Sequence, residues 1–206
     1  MRFQRHLMCV SLQSLLIAAL ASSGAAAADS RLAKAELFGI TLKGANQTDL
    51  TKAVESKNAK LYKWGGNAAV YDASNLGLPC LKSLTAGFYE GVFAVIRYSN
   101  RNANEPSYRD GTCHPAEEEK LRKMIMQKYG PPQGAGQRDF NAEYISEGQY
   151  RWKFADGVEM VYRKEFMGSV ELIYSDPGRV AALKAAAESA DQNDTKRRGQ
   201  QASDAF

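Results

Sequence analysis

The stretch LTAGFYEGVFAVIRYS, residues 84–99, decides the fold. Two apolar runs meet at Glu90-Gly91, and a polar residue followed by glycine is typical of a tight turn between antiparallel strands. In the second run, residues 92–98, apolar side chains stand at both odd and even positions. Both faces of that strand are therefore expected to be covered, which predicts a β-hairpin whose second strand is central in its sheet.

Further hairpin signals lie on both sides of this stretch. KLYKW and AAVYD are separated by the glycine-containing residues 65–67, and QYRWKF and VEMVYR flank Asp156-Gly157. SVELIY follows a turn at Met167-Gly168. Strands that are adjacent in sequence and joined by tight turns predict antiparallel meanders rather than a parallel α/β sheet.

A helix is expected ahead of each meander. A short strand is predicted over 37–42, after which Asn46 can cap a helix that ends near Asn58. A second helix is expected from Pro115 to Tyr129, with Gly130 at its end. An Ala-rich helix follows, from about Arg179 to Ala190. The prediction is an α+β fold, in which two helix-plus-antiparallel-meander halves and the C-terminal helix form one domain over 36–190.

The two ends of the chain differ from this domain. Residues 1–28 carry a basic start, an apolar run and the small residues ASSGAAAA, which predicts a secretory signal peptide. Residues 191–206 are polar without an apolar period, which predicts a disordered tail. No later stretch is apolar enough to cross a membrane, so no stable span is expected after cleavage. The expected location is the periplasm or the outside of the cell.

Charge and cysteine count restrict the function further. The formal net charge is +4, and removal of Arg2 and Arg5 with the signal lowers it to +2, too little to favour nucleic acid as a partner. Cleavage also removes Cys9, leaving Cys80 and Cys113. An even cysteine count in an oxidising compartment predicts a disulfide between them, worth on the order of 3 kcal/mol.

The segment GTCHPAEEEK, residues 111–120, is the strongest candidate for chemistry. Cys113 beside His114 allows a nucleophile, a metal ligand pair, or a disulfide next to a helix start. A nucleophile needs a base and an orienting group, and zinc needs three or four ligands. The sequence shows neither set of residues at a recognisable spacing. Pro115 and the following glutamates favour the helix start. No catalytic residue, metal or cofactor is predicted.

Binding residues are expected around the polar loop 99–113 and the helix after it. They are Tyr108, Arg109, His114, Glu117 and Glu118. The period assigns the aromatic residues of the strands mostly to the core, and the alternative is that some of them line a concave face of the sheet that holds a partner. They are Trp64, Tyr71, Phe88, Tyr89, Phe93, Tyr98, Trp152 and Tyr162.

Four segments carry a family resemblance. They are LFGITLKGANQTDLTKAV (37–54), KYGPP (128–132), YRWKFADGVEMVY (150–162) and LIYSD (172–176). Together they resemble a broad group of small exported bacterial proteins, whose helix-then-meander layout is similar to β-lactamase inhibitory protein and to outer-membrane assembly lipoproteins of the SmpA/OmlA kind. The resemblance covers about residues 37–176 and implies no catalytic residue. The chain departs from the lipoproteins because it lacks a lipobox cysteine.

Two functions follow as expectations. The first is an exported, non-catalytic module of the cell envelope that binds, inhibits or assembles another envelope or secreted protein, through one face of the sheet or the loop 99–113. The alternative is a periplasmic small-ligand or metal-binding protein, with its site in the cleft between helix 115–129 and the sheet and with His114, Glu117 and Glu118 at the rim of that cleft. An enzyme that uses carboxylates such as Asp156 or Glu159 is a third hypothesis.

Overall fold

The computed structural model describes residues 32–103, 112–135, 146–165 and 168–203. Within these ranges the helices are α1 (Gln47–Glu55), α2 (Pro115–Tyr129) and α3 (Pro177–Ser203). The strands are β1 (Glu36–Leu37), β2 (Ile40–Thr41), β3 (Lys60–Gly65), β4 (Ala68–Asp72), β5 (Ser83–Tyr89), β6 (Val92–Ser99), β7 (Gly134–Ala135), β8 (Ser146–Lys153), β9 (Glu159–Glu165) and β10 (Val170–Ser175). The α+β prediction is confirmed.

Eight of these strands form one antiparallel sheet in the order β3-β4-β5-β6-β10-β9-β8-β7. Each half contributes a meander of four strands after its helix, and the last strands of the two meanders, β6 and β10, pair in the middle. From either edge of the sheet to its middle, the four strands of each half therefore follow one another in chain order. β6 is an interior strand of the sheet, as its apolar residues on both faces predict.

The central hairpin turns at Glu90 and Gly91, which both have positive φ, 51° and 73°. This geometry suits the twist of a two-residue hairpin, and it explains the need for glycine. A bulge follows Gly87, where an added Cβ would lie 2.9 Å from Cγ1 of Val95. The absence of a side chain at Gly87 thus lets β5 and β6 pair closely beside the bulge.

The sheet has two different faces, set by the two-residue period of its strands. The helix face carries the buried row Ala86, Ile96, Tyr174, Met160 and Trp152, whose members are paired across successive strands. The outer face carries the row Thr85, Arg97, Ile173, Val161 and Arg151. Because the helix-face row is aromatic and aliphatic, the main core lies between this face and helices α1 and α2, whereas α3 lies against β5 and β6 on the outer face, with Leu183 near Thr85 and Arg97.

Helices α1 and α2 bury short apolar stripes against the core. α1 buries Leu50 and Val54, and its first turn is capped by the side chain of Asn46, which accepts from the backbone N–H of Asp49 at 2.8 Å. α2 buries Leu121, Ile125 and Tyr129, which recur every four residues and therefore share one face of the helix. Gly130 ends it at φ 77°.

The N-terminal segment differs from its prediction. A single strand is expected over 37–42, but β1 and β2 pair with each other around a turn at Phe38-Gly39, with φ of 55° and 84°. Positive φ is costly for a bulky residue such as phenylalanine. The apolar pattern alone does not distinguish one strand from this tight hairpin, because phenylalanine is an unusual residue in such a turn.

The C-terminal helix is the main correction to the prediction. α3 continues from Pro177 to Ser203, so the disordered tail expected over 191–206 is helical through 203. Ion pairs at helical spacing support it: Asp194 lies 2.7 Å from Arg197 and 2.8 Å from Arg198. These polar pairs stabilise a helix without any apolar period, which is the signal on which the prediction depended.

Asp176 holds the start of α3. It is 4% exposed and accepts from Lys43 Nζ at 2.7 Å and from the backbone N–H of Gly178 at 3.2 Å. Burial alone would raise the pKa of Asp176, but Lys43 and the backbone N–H groups of Gly178 and Arg179 together lower it below the usual value. The carboxylate is therefore more stable in the folded protein than in the unfolded chain.

A pH-dependent loss of stability follows for Asp176. The contribution is complete above the unfolded aspartate pKa of about 3.9 and is lost as pH falls through the lower folded pKa. Asp176→Asn keeps a capping side chain, so we expect it to cost about 1 kcal/mol at pH 7 and progressively less towards pH 2. Thermal unfolding from pH 2 to 7 tests this, with the exposed Asp191→Asn as the control. A deficit of constant size at every pH would contradict the assignment.

The two cysteines lie within one disulfide. Cys80 and Cys113 are bonded, with Cα atoms 5.4 Å apart and a sequence separation of 33. The bond joins the loop before β5 to the residue preceding the cap of α2. The predicted pairing is confirmed, and this bond fixes the N-terminal end of α2.

Candidate functional site

A cleft between α2 and the helix face of the sheet is the first candidate site, named here the α2 cleft. Its volume is about 230 Å³. It is lined by Leu37, Phe38, Leu76, Leu78, Tyr98, Leu121, Met124, Ile125, Lys128, Tyr129, Leu172 and Tyr174. Such a concave, mostly apolar surface with few polar groups is typical of small-molecule sites.

Apolar side chains at its opening are incompletely covered. Phe38, Leu76 and Leu78 are half-buried, and Met124 is 38% exposed. Phe38 reaches this position through its positive-φ turn, a strained arrangement of the kind that often accompanies functional sites. The opening therefore exposes apolar surface from three separate elements of the chain.

Tyrosine hydroxyls supply polar groups in the interior of the α2 cleft. The hydroxyls of Tyr129 and Tyr174 are hydrogen-bonded at 3.0 Å. Burial, followed by the nearby Tyr129 hydroxyl, raises the pKa of both Tyr98 and Tyr174. Because both groups stay protonated at neutral pH, the interior of the cleft is uncharged, and its charged lining residue is Lys128.

Three predicted binding residues lie outside this lining. His114 and Glu117 are exposed at the N-terminal end of α2, roughly 10 Å and 6 Å along the helix axis from Leu121. The Nδ1 atom of His114 accepts from the backbone N–H of Ala116 at 3.3 Å, so its observed role is to cap α2. The expectation that His114, Glu117 and Glu118 border the cleft is wrong, whereas the cleft itself is present.

Glu118 has a structural partner on the sheet instead. Its carboxylate accepts from the hydroxyl of Tyr162 at 3.0 Å and lies 2.9 Å from Lys164 Nζ. Burial, then the charge of Glu118, raises the pKa of Tyr162, so the hydroxyl remains a donor at neutral pH. These contacts connect the first turn of α2 to β9. Tyr108 and Arg109, the other predicted binding residues, lie outside the described residues.

The β3 edge is the second candidate site, defined here as Lys60, Tyr62, Lys63 and Trp64. Among the described strands, β3 has a neighbour on one side only. Tyr62 is 52% exposed and Trp64 is 43% exposed. A register shift between Leu61 and Lys63 places Tyr62 in a bulge. Exposed aromatic side chains thus stand beside a strand edge that no other described strand covers.

A depression adjoins the β3 edge near the loop 99–113. Its volume is about 170 Å³, and it lies between the start of β3, the end of β4 and the described beginning of the loop, Asn102 and Ala103. Asp72 forms part of its wall. The hydrogen bonds from Ser74, helped by the charge of Lys60, lower the pKa of Asp72 despite the opposing effect of burial. The loop predicted to bind a partner therefore begins beside the β3 edge.

The β3 edge was not predicted as a site. The period favours a core position for Trp64, whereas the structure leaves the side chain 43% exposed. Six other strand aromatics are buried as predicted: Tyr71, Phe88, Phe93, Tyr98, Trp152 and Tyr162. The sequence carries a signal for an edge strand over residues 57–71, which contain three lysines and no acidic residue. Lysines are common on edge strands.

Three further features bear on function: possible metal ligands, the carboxylates of Asp156 and Glu159, and the apolar character of the helices. Within 32–103, 112–135, 146–165 and 168–203, no three His, Cys, Asp or Glu side chains are grouped so as to hold a metal ion. Asp156 accepts from the backbone N–H groups of Ala35 and Val158, and Glu159 pairs with Arg151 and Lys153. None of the described helices has the length and apolar character needed to cross a membrane.

Comparison with known proteins gives no relative. No family model, no curated protein and no solved structure matches this chain. The resemblance to β-lactamase inhibitory protein and the SmpA/OmlA lipoproteins stays a prediction. The fold defines an α+β protein with two surfaces of interest, the β3 edge and the α2 cleft.

Proposed function

We propose that the chain is an exported, non-catalytic module of the cell envelope that binds another protein along the β3 edge. The observation that carries the proposal is the exposure of Tyr62 and Trp64 on a strand that pairs on one side only among the described residues. Tryptophan and tyrosine are the residue types most enriched among those that dominate binding energy in protein interfaces. A free strand edge can add an extended segment of a partner through backbone hydrogen bonds.

Charge indicates the character of that segment. Lys57, Lys60 and Lys63 are exposed, and residues 57–71 contain no Asp or Glu. Lysines on an edge also discourage pairing between copies of the same chain, because like charges would be brought together. The proposed partner therefore presents an acidic extended segment, for which opposite charge would speed association.

The chemistry-capable residues support a non-catalytic role. Cys113 is 4% exposed and bonded to Cys80, so neither sulfur is a thiolate. His114, the one histidine after the predicted signal, caps α2. The observed contacts of these residues are those of structural groups, and the disulfide is compatible with an exported protein.

Site-specific crosslinking tests the binding surface. A photoreactive phenylalanine at position 64 is expected to crosslink one envelope protein in the producing cells, whereas the same group at the exposed position 120 on α2 is not. The crosslinked protein is then purified and its binding measured by calorimetry. Equal crosslinking at both positions would contradict a docking site on the β3 edge.

Substitution then measures the contribution of the edge. Trp64→Ala is expected to weaken binding of the crosslinked partner at least tenfold, because truncating an aromatic interface residue of this kind costs about 2 kcal/mol of binding free energy. Lys63→Glu should also weaken binding. The loss of affinity should be larger in low salt than in high salt, because salt screens the interaction between charges. Lys120→Ala is the matched control and should leave affinity unchanged. Unchanged affinity in Trp64→Ala, with the fold intact by circular dichroism, would overturn the proposal.

A further inference from the structure

We propose that the α2 cleft is a binding site for a medium-chain carboxylate, with the aliphatic chain inside the cleft and the carboxylate against Lys128. The site lies apart from the β3 edge, so the inference does not rest on the proposed function. The argument depends on the shape and lining of the cleft, on the charge at its opening, and on the conformation of Phe38.

The interior of the cleft fits an unbranched aliphatic chain. Leu37, Leu121, Ile125 and Leu172 give it apolar walls from the N-terminal hairpin, the helix and the sheet. A methylene group has about the liquid volume of a water molecule, on the order of 30 Å³, so 230 Å³ holds a chain of about eight carbons. Each buried methylene favours transfer from water.

The opening of the cleft carries one cation suited to an anionic head group. Lys128 is exposed, and its ammonium lies 4.9 Å from the centre of the Tyr129 ring. No carboxylate of the described residues lies within ion-pair distance of it, whereas Arg122 and Lys123 on the same helix both pair with Glu119. The negative end of the α2 dipole opposes an anion here, which keeps the expected affinity modest.

The conformation of Phe38 is the independent observation. A phenylalanine at φ 55° is strained, and asparagine or glycine would fit the same turn better. The strain places an apolar ring at the opening of the cleft, where it is only half-buried. Its ring is therefore positioned to cover an aliphatic chain that lies between the N-terminal hairpin and Met124.

Titration of the full chain with defined probes tests the site. Octanoate is expected to bind with a dissociation constant on the order of 0.1 mM, followed by NMR of ¹³C-methyl-labelled methionine. The Met124 resonance should shift, while that of Met126, which does not line the cleft, should not. Octylamine has the same tail and a cationic head, and butyrate has the same head and half the chain. Both should bind at least about tenfold more weakly.

Matched variants separate head and tail recognition. Lys128→Gln should weaken octanoate binding by about threefold to tenfold. Lys120→Gln makes the same change on the same helix outside the cleft and should leave octanoate binding unchanged. Phe38→Asn should weaken octanoate binding about tenfold, because apolar contact with the aliphatic chain is lost. Because asparagine relieves the strained turn, the melting temperature of the Phe38→Asn variant should differ from that of wild type by less than about 5 °C.

Several results would overturn the inference. They are no binding of octanoate, equal binding of octanoate and octylamine, a shift at Met126 as large as at Met124, or an equal effect of the Lys120 and Lys128 variants. Trp64→Ala should bind octanoate normally, and Lys128→Gln should bind the crosslinked partner normally. The failure of either surface can thus be distinguished from the failure of the other.

Discussion

Replacement of both Cys80 and Cys113 by serine is expected to lower the free energy of unfolding by about 3 to 4 kcal/mol. The disulfide closes a segment with a sequence separation of 33 residues, and the chain-entropy model assigns a cross-link of that span this magnitude. For a domain of this size, the change corresponds to a fall in melting temperature of roughly 10 °C. Denaturant unfolding followed by circular dichroism measures it.

The control for this prediction is the wild-type protein in a reducing agent. Reduced wild type and the double variant should unfold at nearly the same denaturant concentration, well below oxidised wild type. Intact-mass analysis of oxidised wild type should show a protein two hydrogens lighter than the reduced form. A double variant as stable as oxidised wild type would contradict the structural role of the bond.

The disulfide also affects the α2 cleft. Cys80 closely follows Leu76 and Leu78, which form part of the cleft wall, and Cys113 precedes the cap of α2. The bond therefore holds one wall of the cleft next to the start of the helix. At temperatures where the double variant remains folded, its Met124 methyl resonance should broaden, because the loop 76–80 is then less restricted.

The hairpins were predictable because each is specified locally. Glu90-Gly91 and Asp156-Gly157 provide the residues that a tight turn needs, and the apolar alternation beside them sets which side chains face the core. The two helices that cover the helix face, α1 and α2, could be bounded for the same reason, since Asn46 and Pro115 mark their starts. A local signal of this kind does not depend on the rest of the fold.

Non-local features could not be read in this way. The pairing of β6 with β10 joins strands about 75 residues apart, and no short stretch specifies it. The length of α3 depends on ion pairs rather than on an apolar period. The α2 cleft is formed by segments from the hairpin, the loop 76–78, the helix and the sheet, so only the assembled chain shows that Lys128, rather than His114, lies beside it.

Trp152 fixes the other end of α2. Its indole lies on the helix face, 1% exposed, and Nε1 donates to the carbonyl of Gly130 at 3.1 Å. That carbonyl belongs to the residue directly after α2, one of the positions that the helix itself leaves without a donor. The side chain therefore fills the core and satisfies the helix end at the same time.

Trp152→Ala is expected to lower the free energy of unfolding by about 3 to 5 kcal/mol, because it leaves a cavity in the sheet–helix core. Trp152→Phe keeps most of the apolar volume and removes the donor, so it should cost about 1 to 2 kcal/mol. The exposed Trp64→Phe is the matched control and should stay within about 0.5 kcal/mol of wild type. Denaturant unfolding followed by circular dichroism gives all three values.

Hydrogen exchange then locates the effect of the lost donor. In Trp152→Phe, the backbone amides of the last turn of α2, residues 126–129, should exchange faster than those of α1, because the freed Gly130 carbonyl loosens the helix end. Since Tyr129 and Lys128 lie in that turn, octanoate affinity should fall with it. Faster exchange spread evenly over α1 and α2 would instead mean that Trp152 stabilises the domain as a whole and has no particular hold on the helix that forms the cleft.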